Sequence, residues 1–89
     1  MAIRRHVLVH GHVQGVFFRD TTRRYAQTAG VAGWVGNRPD GTVEAVFEGA
    51  PESVEAMVRF MRDGPRGAAV EHVDVSDEPV EGLEGFSVR

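Results

Sequence analysis

The segment from Gly11 to Arg19 combines residue types that can bind an anion. Gly11 and Gly15 lie in an uncharged loop that runs into a predicted helix, and such loops can direct consecutive backbone N–H groups at one point. Arg19 falls in the first turn of that helix, where its planar guanidinium group can reach the same point and hold two phosphate oxygens. The pattern predicts a phosphate site, although it also fits an arginine that only faces solvent.

A second group of residues, from Gly33 to Asn37, closes a predicted strand just before a turn. If this strand lies near the centre of the sheet, Asn37 can approach the loop at Gly15. A neutral amide both donates and accepts hydrogen bonds, which suits holding a water molecule without protonating it. An asparagine at the entry to a turn also commonly bonds its own backbone, and this interpretation stays open.

The histidines raise the question of a metal site. His6, His10 and His12 share parity, so a continuous strand would place all three on one face. Gly11 interrupts that strand, and no acidic residue lies nearby in the sequence to complete a ligand set. We therefore expect solvated strand histidines, with His72 on the outer face of the sheet, and no metal.

Hydrophobic periodicity predicts the elements that position these residues. Strands are predicted at residues 1–10, 31–38, 42–49 and 69–75, with a short strand at 86–88. A turn at Pro39-Asp40-Gly41 joins the second and third strands. One helix is predicted from Phe18 to Ala29 and another from Pro51 to a stop at Gly64. The first helix is expected to bury one face, made up of Phe18, Thr22, Tyr25, Ala26 and Ala29.

The order β-α-β-β-α-β, plus a short C-terminal strand, indicates an α+β fold of the ferredoxin-like, split βαβ type. In this arrangement two helices pack on one face of an antiparallel sheet. The length of 89 residues fits one domain over residues 1–89. The fold alone decides no function.

Composition narrows the function classes. The chain has 10 basic residues, all arginine, against 13 acidic ones, and its net charge of −3 argues against a nucleic-acid partner. It has no cysteine, so disulfides and thiolate chemistry are excluded. No uncharged stretch approaches the roughly 18 residues of a membrane span, and we identify no signal peptide. We expect a cytoplasmic monomer.

Two segments resemble the two signatures of the acylphosphatase family. They are Val9-His10-Gly11-His12-Val13-Gln14-Gly15-Val16-Phe17-Phe18-Arg19 and Gly33-Trp34-Val35-Gly36-Asn37-Arg38-Pro39-Asp40-Gly41-Thr42-Val43. The resemblance extends over nearly the whole chain. One departure is Gly36, where the family more often has a longer and frequently basic side chain.

The resemblance implies an acylphosphatase, an enzyme that hydrolyses the carboxyl–phosphate bond of acyl phosphates to carboxylate and orthophosphate. By resemblance, Arg19 binds the phosphate and Asn37 orients the attacking water. The implied phosphate cradle comprises Gln14, Gly15, Val16, Phe17 and Phe18, acting mainly through backbone N–H groups. No metal or cofactor is implied. Asp20, the nearest carboxylate, would repel a phosphate, so we interpret it as a charge at the start of the helix.

Two other functions use the same topology. A regulatory module that binds a phosphorylated ligand would need the loop from Gly15 to Arg19 but not Asn37. An RNA-recognition module would need exposed aromatic residues on the central strands. The strand at 42–49 offers only Phe47, which is in phase with the predicted core, so we discount RNA.

Overall fold

The protein consists of two helices packed on a five-stranded sheet, and the computed structural model describes all 89 residues. In chain order the elements are β1 (Ile3–His12), α1 (Phe18–Ala29), β2 (Ala32–Asn37), β3 (Val43–Gly49), α2 (Pro51–Asp63), β4 (Ala69–Glu78) and β5 (Phe86–Val88). The strand order is β4-β1-β3-β2-β5. The β2–β5 pair is parallel and the other pairs are antiparallel. The predicted ferredoxin-like fold is confirmed, but the sheet is mixed and not antiparallel throughout, because β5 runs parallel to β2.

The hydrophobic core lies between the helices and one face of the sheet. Alternate residues of the two central strands point into it and are fully buried, namely Val7, Val9, Val43, Ala45 and Phe47. The helices contribute Phe18, Ala26, Val54, Met57, Val58 and Met61. Burying an aliphatic or aromatic side chain contributes about 1.5–3 kcal/mol. This packing holds α1 against β2 and β5, which fixes the position of the α1 N-terminus.

Three local expectations were wrong. The first strand does not stop before Gly11, because β1 continues through an irregularity at His10/Gly11 and pairs with β4 up to His12. The fourth strand does not end at residue 75, because β4 extends to Glu78. In α1, Tyr25 and Ala29 are exposed, so the buried face is narrower than the periodicity indicates.

Two acidic side chains and one basic side chain form a buried ionic cluster on the outer face of the sheet, the face without helices. Arg4 is 8% exposed and bonds Glu78 through Nε at 2.8 Å. Glu48 is 4% exposed and lies 3.6 Å from Arg4 Nη1. The segment between β4 and β5 crosses this cluster, where the backbone N–H groups of Glu81 and Leu83 donate to Glu48 at 2.8 and 2.6 Å. Glu48 therefore anchors the segment that leads to β5.

The environment of Glu48 makes stability depend on pH. Desolvation raises the pKa of this carboxyl group, but the hydrogen bonds from the 81–83 backbone and the charge of Arg4 outweigh it, so the pKa is lowered overall. A group whose pKa is lowered by folding stabilises the protein above its unfolded pKa. That stabilisation is lost as the pH falls through the lower folded pKa.

We therefore expect Glu48→Gln to lower the free energy of unfolding by about 2 kcal/mol at neutral pH, because it replaces charge-assisted hydrogen bonds with weaker ones. The difference from wild type should shrink below about pH 4, where glutamate becomes protonated. Urea unfolding at neutral pH and below about pH 4 measures the free energy of unfolding of both proteins. Glu84→Gln, at an exposed residue, is the control. An equal loss at both pH values would contradict the role of the charge.

No helix of the protein combines the length and the hydropathy needed to span a membrane.

Candidate functional site

The loop between β1 and α1 presents a run of unpaired backbone donors. None of the N–H groups from Gly15 to Asp20 donates to a backbone or side-chain oxygen of the protein. Gly15 has a φ of 75° and Phe17 a φ of 59°, whereas Val16 between them has a negative φ. Alternation of this kind turns successive N–H groups toward one point and forms an anion-binding concavity. The positive end of α1 adds to the same potential.

Arg19 and Asn37 lie at one cavity of about 450 Å³ beside this loop. Arg19 comes from the first turn of α1. Asn37 is the last residue of β2 and has the same parity as Val35, which faces the core, so it lies on the helix side of the sheet. The cavity is lined by Val13, Gly15, Phe17, Phe18, Arg19, Asp20, Arg23, Asn37 and Val88.

The structure brings together most, but not all, of the residues that the sequence singles out. Gly15, Phe17, Phe18, Arg19 and Asn37 all line the cavity. Val16 lines a neighbouring groove instead. Gln14 lines neither concavity, and its side chain bonds the β2–β3 turn.

The side chain of Gln14 connects the loop to the turn that follows Asn37. Its Nε2 donates to the carbonyl oxygens of Arg38 at 2.8 Å and Thr42 at 2.9 Å. Asp40 closes the same turn by accepting from the hydroxyl and backbone N–H of Thr42. The hydrogen bonds made by Gln14 therefore fix the distance between the unpaired N–H groups and Asn37.

A Gln14→Leu variant tests this connection. It removes both donors while keeping a similar volume, so we expect a loss of about 1–2 kcal/mol in the free energy of unfolding. Because the loop and the turn are then free to separate, turnover at this site should fall by about 10-fold. Gln14→Glu is a matched variant that replaces the donating amide with acceptors only. If both variants retain wild-type stability and turnover, the connection has no role.

Two charged residues of the cavity were not predicted to belong to it. Asp20 bonds Arg23 and Arg24, each at 2.8 Å. The hydrogen bond from Arg23 and the charge of Arg24 lower the pKa of Asp20 and offset the effect of desolvation. Arg23 lies four residues after Arg19, and this spacing places both side chains on one side of α1. The spacing is therefore a signal in the sequence that Arg23 reaches the same cavity as Arg19.

The C-terminal strand contributes directly to the site. It pairs with β2 and brings Val88 to the cavity, while the backbone oxygen of Arg89 accepts from Arg19 Nη1 at 3.1 Å. The guanidinium of Arg89 stacks 4.1 Å from the ring centroid of Trp34. A Cβ on Gly36 would lie 3.2 Å from the Cβ of Arg89, so the small residue at this position admits the close approach. Positioning of Arg19 thus depends on a residue 70 positions away in the chain.

Three of the four histidines have acidic partners in the structure that the sequence did not indicate. His6 bonds Glu44 at 2.7 Å. His10 and His72 both bond Asp74, at 3.0 and 2.7 Å, and these bonds lower the pKa of Asp74. The partners of His6 and His10 come from adjacent strands, so the absence of a carboxylate close by in the sequence did not leave these histidines without one, whereas His72 and Asp74 lie on the same strand. No group of three or more histidine and acidic side chains has a geometry that could hold a metal ion.

Comparisons with known proteins agree on one family. The Acylphosphatase family model matches residues 5–88. The chain is 55% identical over 87 residues to an acylphosphatase of Gloeobacter violaceus, covering 98% of this chain and 94% of that one. It is 56% identical over 86 residues to an acylphosphatase of Haloarcula marismortui, with 97% and 94% covered. The solved structure of an acylphosphatase from Coxiella burnetii superposes with a TM-score of 0.94 at 39% identity, covering 99% of this chain and 93% of that one.

Proposed function

Because the chain belongs to the acylphosphatase family, we propose that it hydrolyses acyl phosphates with the loop from Gly15 to Phe18 and Arg19 binding the phosphate and Asn37 orienting the attacking water. Family membership supports the reaction class. The assignment of roles to individual residues is our proposal.

The observation that carries the proposal is that loop residues with unpaired backbone N–H groups line the same cavity as Arg19 and Asn37. Polar backbone groups in a folded protein nearly always find a partner in the protein or in a ligand or water. A phosphate group has enough acceptor oxygens to use several such donors at once. The fork of Arg19 can hold two of these oxygens, and its bond to the backbone of Arg89 limits its rotation.

The proposed reaction is an in-line displacement at phosphorus. The oxygen of a water molecule held by Asn37 attacks the phosphorus atom, and the bond between phosphorus and the acyl oxygen breaks on the opposite side. The carboxylate leaves with the bonding electron pair, and the proton from water passes to a phosphate oxygen. A carboxylate is a stable leaving group, so positioning and electrostatic stabilisation can supply the rate enhancement without a general acid.

The donor set at the cavity favours a mechanism without a metal ion. Asp20 is the only carboxylate that lines the cavity, and both of its oxygens already accept from arginines. Mg²⁺ usually binds through one or two carboxylates together with substrate phosphates. The backbone N–H groups, the α1 N-terminus and Arg19 provide the positive potential that a metal would otherwise contribute.

The direct test is phosphate release from acetyl phosphate in the presence of EDTA. We expect turnover well above the spontaneous rate, unaffected by the chelator, with inorganic phosphate as a competitive inhibitor. Phosphate binding without turnover would instead identify a phosphate-binding regulatory module. Turnover that EDTA abolishes would contradict the metal-independent mechanism.

A further inference from the structure

Phe17 is unusual in both its conformation and its exposure. It is the only residue other than glycine with a positive φ, and its side chain is 82% exposed. A conformation of this kind is uncommon for a residue that carries a side chain. The N–H and the hydroxyl of Thr21 both donate to the Phe17 carbonyl oxygen, at 3.0 and 2.9 Å, and hold the backbone in place. The protein thus fixes an aromatic ring at the edge of the phosphate cavity without burying it.

A second concavity begins on the other side of this ring. Phe17 lines both the phosphate cavity and a groove of about 430 Å³ that runs between α1 and the C-terminal end of α2. The inner part of this groove is apolar and aromatic, with Val16, Phe17, Tyr25, Phe60 and Pro65. Tyr25 and Phe60 meet edge to face at 4.7 Å between ring centroids. Its volume falls in the range that holds small ligands.

We propose that this groove is the acyl subsite and that Phe17 selects acyl phosphates with an aromatic or bulky apolar acyl group. The inference rests on the proposed function. Phe17 is the one residue that lines both the groove and the phosphate cavity, so an acyl group joined to a phosphate bound in the cavity would reach the groove across this ring. A buried apolar contact with this ring contributes to affinity in proportion to the area removed from water.

The direction of the reaction supports the same placement. An in-line attack requires the acyl oxygen to leave on the side of phosphorus opposite the water. Asn37, which would hold that water, lines the phosphate cavity but not the groove. The acyl group can therefore extend over Phe17 into the groove while the water occupies the side of Asn37. The exposed charges of Asp63 and Arg66 lie on the groove as well, so its apolar part is short.

The test compares acetyl phosphate with benzoyl phosphate, which share the phosphate and differ in the acyl group. Phe17→Asn removes the ring and keeps a residue type that tolerates positive φ. We expect the ratio of its kcat/KM for benzoyl phosphate to its kcat/KM for acetyl phosphate to fall by about 10-fold, mainly through a higher KM for benzoyl phosphate. Phe17→Tyr keeps the ring and should retain the wild-type ratio. Val80→Asn, at an exposed apolar residue outside the groove, is the control.

The outcomes separate the two proposals. An unchanged ratio of the two kcat/KM values in Phe17→Asn overturns the subsite while leaving the hydrolytic function intact. An equal loss for both substrates also overturns it, because it shows that Phe17 acts only through the shape of the loop. Absence of turnover by the wild-type protein with either substrate overturns the proposed function, and an acyl subsite with it.

Discussion

An Arg19→Ala variant is expected to lose acyl phosphate hydrolysis almost completely, with kcat/KM lowered by at least about 10³-fold. The guanidinium of Arg19 forms no ion pair with an aspartate or glutamate side chain, whereas Arg23, the other arginine of the cavity, is paired with Asp20. Its removal leaves the backbone N–H groups to hold the phosphate alone, so both substrate binding and turnover should fail. Phosphate release measures turnover, and calorimetric titration with inorganic phosphate measures binding.

Two further variants make this result specific to Arg19. Arg24→Ala removes the same charge from the same helix, but Arg24 is 72% exposed and lies outside the cavity, so it should retain activity. Arg19→Lys keeps the charge but not the planar fork and should recover binding better than rate. If Arg19→Ala keeps a kcat/KM within 10-fold of wild type, the phosphate is bound elsewhere.

An Asn37→Ala variant should separate chemistry from binding. We expect kcat to fall by about 10²–10³-fold, the usual loss when a preorganised polar group is removed from the transition state, while inhibition by inorganic phosphate is preserved. The reason is that Asn37 comes from β2 and not from the loop that offers the N–H groups. Asn37 is exposed at the end of its strand, so its replacement should leave the fold stable.

The comparison of kcat with the inhibition constant for phosphate decides the role of Asn37. A weakened phosphate affinity with unchanged kcat would assign the amide to the phosphate rather than to water. Full activity would remove Asn37 from the mechanism. Asn37→Gln is the matched variant, because it keeps the amide but moves it by one methylene and should restore little of the rate if the position of the amide matters.

Regular elements were predictable from the sequence where burial follows a simple period. Phe18, Thr22 and Ala26 recur at helical spacing and are buried, because the inner side of α1 meets the sheet. Tyr25 follows the same period but lies at the edge of the groove, where no element covers it. Periodicity describes one side of a helix and does not show how wide the covering surface is.

Long-range contacts of the site were harder to predict. The bond between Arg19 and Arg89 depends on the parallel pairing of β5 with β2, which no local pattern in the sequence encodes. The carboxylate partner of His10 was also not predictable from local sequence, because Asp74 comes from the neighbouring strand β4. Loop geometry was predictable only in part. The glycine at position 15 indicated a tight turn, but nothing in the sequence indicated a positive φ at Phe17.

The alternating backbone of the β1–α1 loop has a consequence for how enzymes of this kind can diverge. Its unpaired donors belong to the main chain, so a point mutation that changes the side chain of Val16 or Phe17 leaves the number of N–H groups unchanged. The side chains at these two positions can therefore change without removing any of these donors. Gly15 and Phe17 both have a positive φ, which most side chains disfavour, whereas Val16 between them has a negative φ. One short stretch of sequence thus contains two conformationally constrained positions and one freely variable position between them.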